Sequence, residues 1–300
     1  MGTGAFVRDT LTGVVTISRR AALAALSAAP LLAAQTKLRV GCQTRAYGSP
    51  LTDRDKLLSV LDDLRATGYE GFETNYRSLE AHFDDPGPMR AEIERRGVGL
   101  IGLHLGAGLF EPDKIEAERE LILRVARGVK ALGGDHVIMS GRQLPLRADG
   151  SVEPAALASK IRESNRLGAE LAAMGLKFAI HNHQHEVAND GAELRELLDA
   201  ADSSVSLLFD VGHVLHHEMD VVSFILAHSH RIAGLHLRDV AGGKEVLIGT
   251  GEVQFNAIAE ALCEAAWEGW LILELNEHGG LSDHDLVDRA RRHIRREMGV

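Results

Sequence analysis

The chain has 300 residues, enough for one large domain, with 45% hydrophobic residues to build a core and a formal charge of -10. That acidic balance argues against a general nucleic-acid binder, which carries a basic face, and leaves room for a small substrate held by local cationic groups. Two cysteines, Cys42 and Cys263, cannot make a disulfide framework, and both read as core thiols.

At the N-terminus, Arg19-Arg20 precede an apolar, alanine-rich run over residues 21–34 that is too short to cross a bilayer and ends in small residues suited to cleavage. That is an export-signal pattern. Ser18-Arg19-Arg20-Ala21-Ala22-Leu23 is similar to a twin-arginine signal, with Ala22 where a larger apolar residue is usual. Residues 1–35 are therefore expected to be an export segment and residues 36–300 the folded domain, periplasmic and without stable membrane insertion. The alternative is an extra N-terminal helix on a cytoplasmic protein.

From Lys37 onward, short apolar runs alternate with longer amphipathic stretches. Strand patterns fall at 38–43, 69–73, 98–104, 136–140, 176–181, 205–210, 232–236 and 270–274. Helical periodicity falls at 52–67, in a short stretch ending at Gly97, and at 112–132, 154–174, 191–201, 221–228, 255–267 and 283–298. Eight strand-then-helix units imply parallel strands with right-handed crossovers, and eight is the number that closes a barrel. No glycine-rich phosphate turn follows the first strand, so the expected fold is a single (β/α)8 TIM barrel rather than an open doubly wound sheet.

The polar residues concentrate at the strand ends, where barrel enzymes place their chemistry. Reading the ends in order gives Gln43 and Arg45, then Glu73, His104, Ser140, His181 and His183, Asp210 and His213, His236 and Arg238, and Glu274. The densest stretch is His181-Asn182-His183-Gln184-His185-Glu186. On an extended backbone its three imidazoles start on one face, and neutral imidazole is the commonest metal ligand. The last four strands are neighbours in a barrel wall, so His181, Asp210, His236 and Glu274 are expected to face one another, with His183 a substitute for His181. Such a nitrogen and oxygen set suits Mn, Co, Zn or Fe better than Mg or Ca.

Asp210-Val211-Gly212-His213, His236-Leu237-Arg238-Asp239, Gly249-Thr250-Gly251-Glu252-Val253 and Trp270-Leu271-Ile272-Leu273-Glu274 resemble, in order, the motifs of the xylose isomerase-like TIM barrel superfamily of sugar phosphate isomerases and epimerases. Inosose dehydratases and endonuclease IV-type abasic-site nucleases also belong there. The resemblance implies a divalent metal at His181, Asp210, His236 and Glu274, with His213 near substrate or a second metal. His181 stands where the epimerases carry glutamate, and the His-Asn-His form is similar to the inosose dehydratase and keto-sugar lyase branch.

The chemistry implied is proton abstraction beside a carbonyl, through an enediolate, on a sugar or keto-sugar substrate. Glu274 is the expected first base, and His183, His213 or Glu186 the second acid/base; Glu73, His104 and Arg238 are expected to position hydroxyls or an anionic group. The leading expectation is a metal-dependent sugar or keto-polyol isomerase or epimerase. Its alternatives are a keto-sugar lyase of the inosose dehydratase kind, an abasic-site endonuclease, and a non-catalytic exported sugar-binding protein. Trp267 and Trp270 read as packing around the last strand, His216-His217 as solvated, and Arg291-Arg292 and Arg295-Arg296 as the exposed face of the final helix.

Overall fold

A computed structural model describes residues 37–300 except His216, Glu218 and the side chain of Asp190; the expected export segment and His216 lie outside the described residues. The elements in chain order are β1 (Leu38–Gln43), α1 (Arg54–Thr67), β2 (Gly71–Asn75), α2 (Gly87–Arg96), β3 (Gly99–Ala107), α3 (Ile115–Leu132), β4 (His136–Gly141), α4 (Pro154–Ala173), β5 (Lys177–His181) and α5 (Gln184–Ala200). They continue with β6 (Val205–Asp210), α6 (Val211–Leu215), α7 (Val221–His228), β7 (Ile232–Leu237), β8 (Asp239–Ala241), β9 (Lys244–Val246), α8 (Phe255–Glu264), β10 (Gly269–Leu273) and α9 (Asp283–Met298).

Eight strands close a parallel barrel in the order β1-β10-β7-β6-β5-β4-β3-β2, and β8 and β9 form a separate antiparallel hairpin after β7. The fold is the (β/α)8 barrel expected from the alternation. Local chemistry sets the helix ends. Asp53 accepts from the Lys56 N–H to start α1, and Gly68, with φ 88° in the left-handed region, ends it.

Most of the core lies between the barrel wall and the helices. A smaller apolar plug of Ile101, Ile138, Ala179, Leu208, Ala233, Trp270 and Ile272 fills the barrel itself. Because strand side chains alternate, the residue two places beyond a plug residue returns to the barrel interior one layer higher. Ser140 follows Ile138 in this way, His181 follows Ala179, Asp210 follows Leu208, and Glu274 follows Ile272. The polar layer therefore sits directly above the apolar one, at the carboxyl ends of the strands.

Trp267 and Trp270 are buried, with the Trp267 indole N–H donating to the Ile232 carbonyl at 2.9 Å, as packing residues should be. Cys42 is buried and Cys263 half-buried. Arg291 departs from expectation: it is buried, and its guanidinium donates to the Gly68 and Val300 carbonyls, tying α9 to the end of α1. Helix α5 begins at Gln184 instead of residue 191, so His185 lies on a helical first turn and not on an extended continuation of β5. Among the described residues no helix is long and apolar enough to cross a membrane.

Candidate metal centre

The consecutive barrel strands β5, β6, β7 and β10 each bring one donor to the same point. His181 and Asp210 are the last residues of their strands, His236 is the last but one of β7, and Glu274 directly follows β10. One ligand atom from each lies within 4.8 Å of the other three, and all four residues are buried. His236 Nδ1 is 2.7 Å from Glu274 Oε2, and His181 Nε2 is 3.4 Å from Asp210 Oδ2 and 3.6 Å from Glu274 Oε2.

These contacts are not aligned as hydrogen bonds. His181 Nε2, His236 Nδ1 and Glu274 Oε2 are buried without a hydrogen-bond partner. Buried polar atoms are normally paired, so lone pairs that converge on a common point fit a shared cation. Two imidazoles and two carboxylates are a set that a borderline divalent ion accepts.

A supporting layer fixes these side chains. Glu73, wholly buried, reaches His236 Nε2 at 2.7 Å with one oxygen and His104 Nδ1 at 2.8 Å with the other, which turns His236 Nδ1 toward the centre. His104 Nε2 meets Ser140 Oγ in turn. Asn182 clamps the backbone of Asp210, accepting from its N–H at 2.9 Å and donating to its carbonyl at 3.2 Å. Arg238 lies between the carboxylates, its Nε donating to Asp210 Oδ2 at 2.8 Å and its Nη2 2.6 Å from Glu274 Oε2. Its Nη1 donates to Glu245 of the β8–β9 hairpin at 3.2 Å.

Burial and charge act against each other here, and charge wins at the centre. Burial disfavours a charged His236, yet Glu73 and Glu274 raise it to about 10. His181 is raised against burial by Asp210 and Glu274. Burial would raise Glu73, but His236 and His104 hold it at about 2; Arg238 and His236 hold Glu274 well below the usual carboxylate range. At the rim burial dominates. His183 falls to about 3, through burial and then the neighbouring His181, and His213 falls to about 4 although Asp210 opposes the shift.

The expected site residues are thus sorted by depth. His183 and His213 face each other at a ring separation of 5.2 Å, and lie 4.7 and 6.0 Å from the His181 ring. His181 belongs to the converging set and His183 stands beside it. Glu73, expected to position substrate, stands behind His236. Glu186, expected as an acid/base, is buried with one oxygen on Lys160 and the other on the His183 N–H and His185 Nε2. His183, His185 and Glu186 also bring ligand atoms within 4.8 Å of one another, but that carboxylate is already engaged. Sequence reading gave no role to Asn182, Lys160 or Glu245. Lys160 had a signal, since it falls at helical spacing on the face of α4 that carries Leu157, Leu167 and Leu171.

A family model described as the xylose isomerase-like TIM barrel matches residues 61–297. The chain is 26% identical over 254 residues to the rhizopine catabolism protein MocC of Rhizobium meliloti, covering 74% of this chain and 75% of that protein. It is 21% identical over 274 residues to the inosose dehydratase of Lactiplantibacillus plantarum, covering 81% and 89%. The match to the Geobacillus thermodenitrificans inosose dehydratase, 27% identical, spans 45% of this chain and only 53% of that enzyme. Among solved structures, L-ribulose 3-epimerase superposes with a TM-score of 0.74 at 18% identity, covering 87% of this chain and 95% of that one. The D-allulose 3-epimerase of Methylomonas sp., in complex with D-allulose, gives 0.72 at 17%, covering 87% and 98%. At such identities the structural likeness is one of fold, but the family model covers well over half of the sequence. The chain belongs to the xylose isomerase-like TIM barrel family.

Proposed function

We propose that this protein is a metal-dependent enzyme that removes a proton from the carbon beside a carbonyl in a sugar or keto-polyol. The observation that carries this reading is the convergence of His181, Asp210, His236 and Glu274 on one buried point, where His181 Nε2, His236 Nδ1 and Glu274 Oε2 have no hydrogen-bond partner. A divalent ion held there would supply Lewis acidity for the negative charge that develops on the carbonyl oxygen.

Glu274 is the base. Arg238 and His236 keep its carboxylate ionised, so it can accept the carbon-bound proton near neutral pH. His183 and His213 enter as neutral imidazoles, able to take a proton from one substrate hydroxyl and return it to another oxygen. His104 sits at the edge of the same chamber, its ring 5.2 Å from His181. The export pattern in residues 1–35 supports placing this activity outside the cytoplasm.

Two outcomes share this first step. Returning the proton to carbon gives isomerisation or epimerisation, and losing a hydroxyl from the intermediate gives dehydration. Dehydration is favoured by His181 in place of the second glutamate of a two-base epimerase, and by the inosose dehydratases among the relatives. The test is deuterium exchange at carbon in metal-loaded protein offered keto-sugars and inososes in deuterated water. Glu274→Gln should slow that exchange by about 10²- to 10⁴-fold with an unchanged circular dichroism spectrum. Undiminished exchange in this variant removes Glu274 as the base.

A further inference from the structure

Beneath the histidine-rich loop lies a group of charges that the reaction above does not use. Lys160 of α4 is fully buried, its ammonium 3.0 Å from Glu186 Oε1 and 2.8 Å from Glu193 Oε1. Both glutamates are buried on α5, seven residues apart and so on one helix face. The end of β4 is shaped to admit them: a Cβ on Gly141 would overlap both Glu186 Oε1 and Lys160 Nζ. Burying three charged groups is costly, and replacing such a group by hydrophobic residues of similar volume is often neutral or stabilising. The arrangement therefore points to a purpose beyond stability.

What the group touches identifies that purpose. Glu186 Oε2, on the side away from Lys160, accepts the His183 N–H at 2.8 Å and lies 3.0 Å from His185 Nε2. His183 lies two residues past the end of β5 and is the N-cap of α5, its backbone extended at φ -107° and ψ -177°. The carboxylate thus closes the first turn of α5 back on the N-cap, and the ammonium holds the carboxylate. The His183 ring, edge-on to His181 on one side and stacked near His185 on the other, has its place set by that backbone.

We propose that Lys160 and Glu186 are positioning residues: Lys160 anchors Glu186, and Glu186 fixes the His183 backbone so that its imidazole faces the substrate beside the His181–Glu274 centre. This inference rests on the reading of His183 as the group that moves the second proton.

Three variants of the full chain test it. Glu186→Ala leaves Lys160 paired with Glu193. Glu186→Gln keeps an oxygen acceptor for the His183 N–H. Lys160→Met with Glu193→Gln removes the anchor without changing the net buried charge. The readouts are hydrogen exchange of the His183 amide and the ratio of product formation to deuterium exchange at the substrate carbon. In Glu186→Ala and the double variant the amide should exchange faster, and the ratio should fall about 10- to 100-fold, as for loss of other supporting hydrogen bonds. Glu186→Gln should restore both.

A Glu186→Gln variant as damaged as Glu186→Ala overturns the proposal, because the carboxylate itself would then be carrying the proton. A parallel fall of exchange and product formation overturns it too, as the mark of simple structural support. Should the wild-type protein exchange no proton from any sugar, the reaction reading is lost and the amide measurement still decides: faster exchange in the two weakened variants supports the positioning, and unchanged protection overturns it.

Discussion

Metal uptake by this barrel should depend steeply on pH, and the sign follows from the carboxylates around His236. Glu73 and Glu274 raise that imidazole to about 10 in the metal-free chain, and His181 is raised in the same direction. An imidazolium has no lone pair, so an ion that takes His236 Nδ1 must displace a proton. Between the ordinary histidine value of about 6.5 and the raised value of about 10, each pH unit should strengthen binding about tenfold for each proton displaced. One proton from His236 alone gives about 10²-fold between pH 6.5 and 8.5, and a proton displaced from His181 steepens the dependence in the same direction. The metal-free protein should show the opposite sign. A raised histidine adds stability that is fully present below about pH 6.5 and is lost as pH rises through about 10. Competition with a chromophoric chelator across pH, with calorimetry in two buffers of different ionisation enthalpy, counts the protons released. Replacing Glu73 with Gln removes one of the carboxylates holding the proton, so the plateau of affinity should arrive at lower pH. A pH-independent affinity, with no proton released, would refute the assignment of His236 as a caged ligand.

Other consequences are equally direct. Asp239 is buried and accepts from the N–H groups of Val240, Gly249, Gly251 and Val253 at 2.8–3.1 Å, so Asp239→Ala should cost about 3 kcal/mol or more in urea unfolding; a loss under about 1 kcal/mol contradicts that accounting. His183 and His213, lowered to about 3 and about 4, take up protons more readily unfolded than folded. They should therefore remove stability as pH falls from about 6.5 toward 4, and the loss should shrink in the His183→Gln/His213→Gln variant. Replacing Arg19 and Arg20 by Lys should block processing of the N-terminus if residues 1–35 direct twin-arginine export. Abasic duplex DNA should survive incubation with the metal-loaded protein, because an acidic surface gives little phosphate affinity; efficient incision would reverse the choice of substrate class.

The barrel was legible because its signal is periodic and local. Each strand is an apolar run with a polar end, and the helix patterns stop at glycines such as Gly68, Gly97 and Gly133, all with positive φ. The four converging residues were legible for the same reason, since a parallel barrel turns adjacent strand ends into neighbours. What failed was whatever depends on partners distant in sequence. Helix α5 starts at Gln184, amid histidines that carry no helical apolar pattern, and its first turn is closed by Glu186, which a lysine from another helix holds in place. Glu73 looked like a substrate contact because it ends a strand; only the tertiary structure puts His236 between it and the chamber. The β8–β9 hairpin, three residues a side, is too short to announce itself, yet its Glu245 reaches Arg238.

The centre also carries a charge argument that ties its parts together. Glu73, Asp210 and Glu274 are three buried carboxylates held ionised, and Arg238 is the cation placed among them. With neutral imidazoles the cluster keeps two negative charges, which a low-dielectric interior does not tolerate uncompensated. Two protons, on His181 and His236, or one divalent cation restore the balance. That equivalence explains why the two imidazoles at the heart of the cluster are raised while His183 and His213, at its edge, are lowered. It also separates chemistry from folding. The apolar plug below, with Trp270 and Ile272, and the core between wall and helices supply the burial that holds the barrel. A neutral replacement such as Glu274→Gln therefore reads out the site and leaves the scaffold standing.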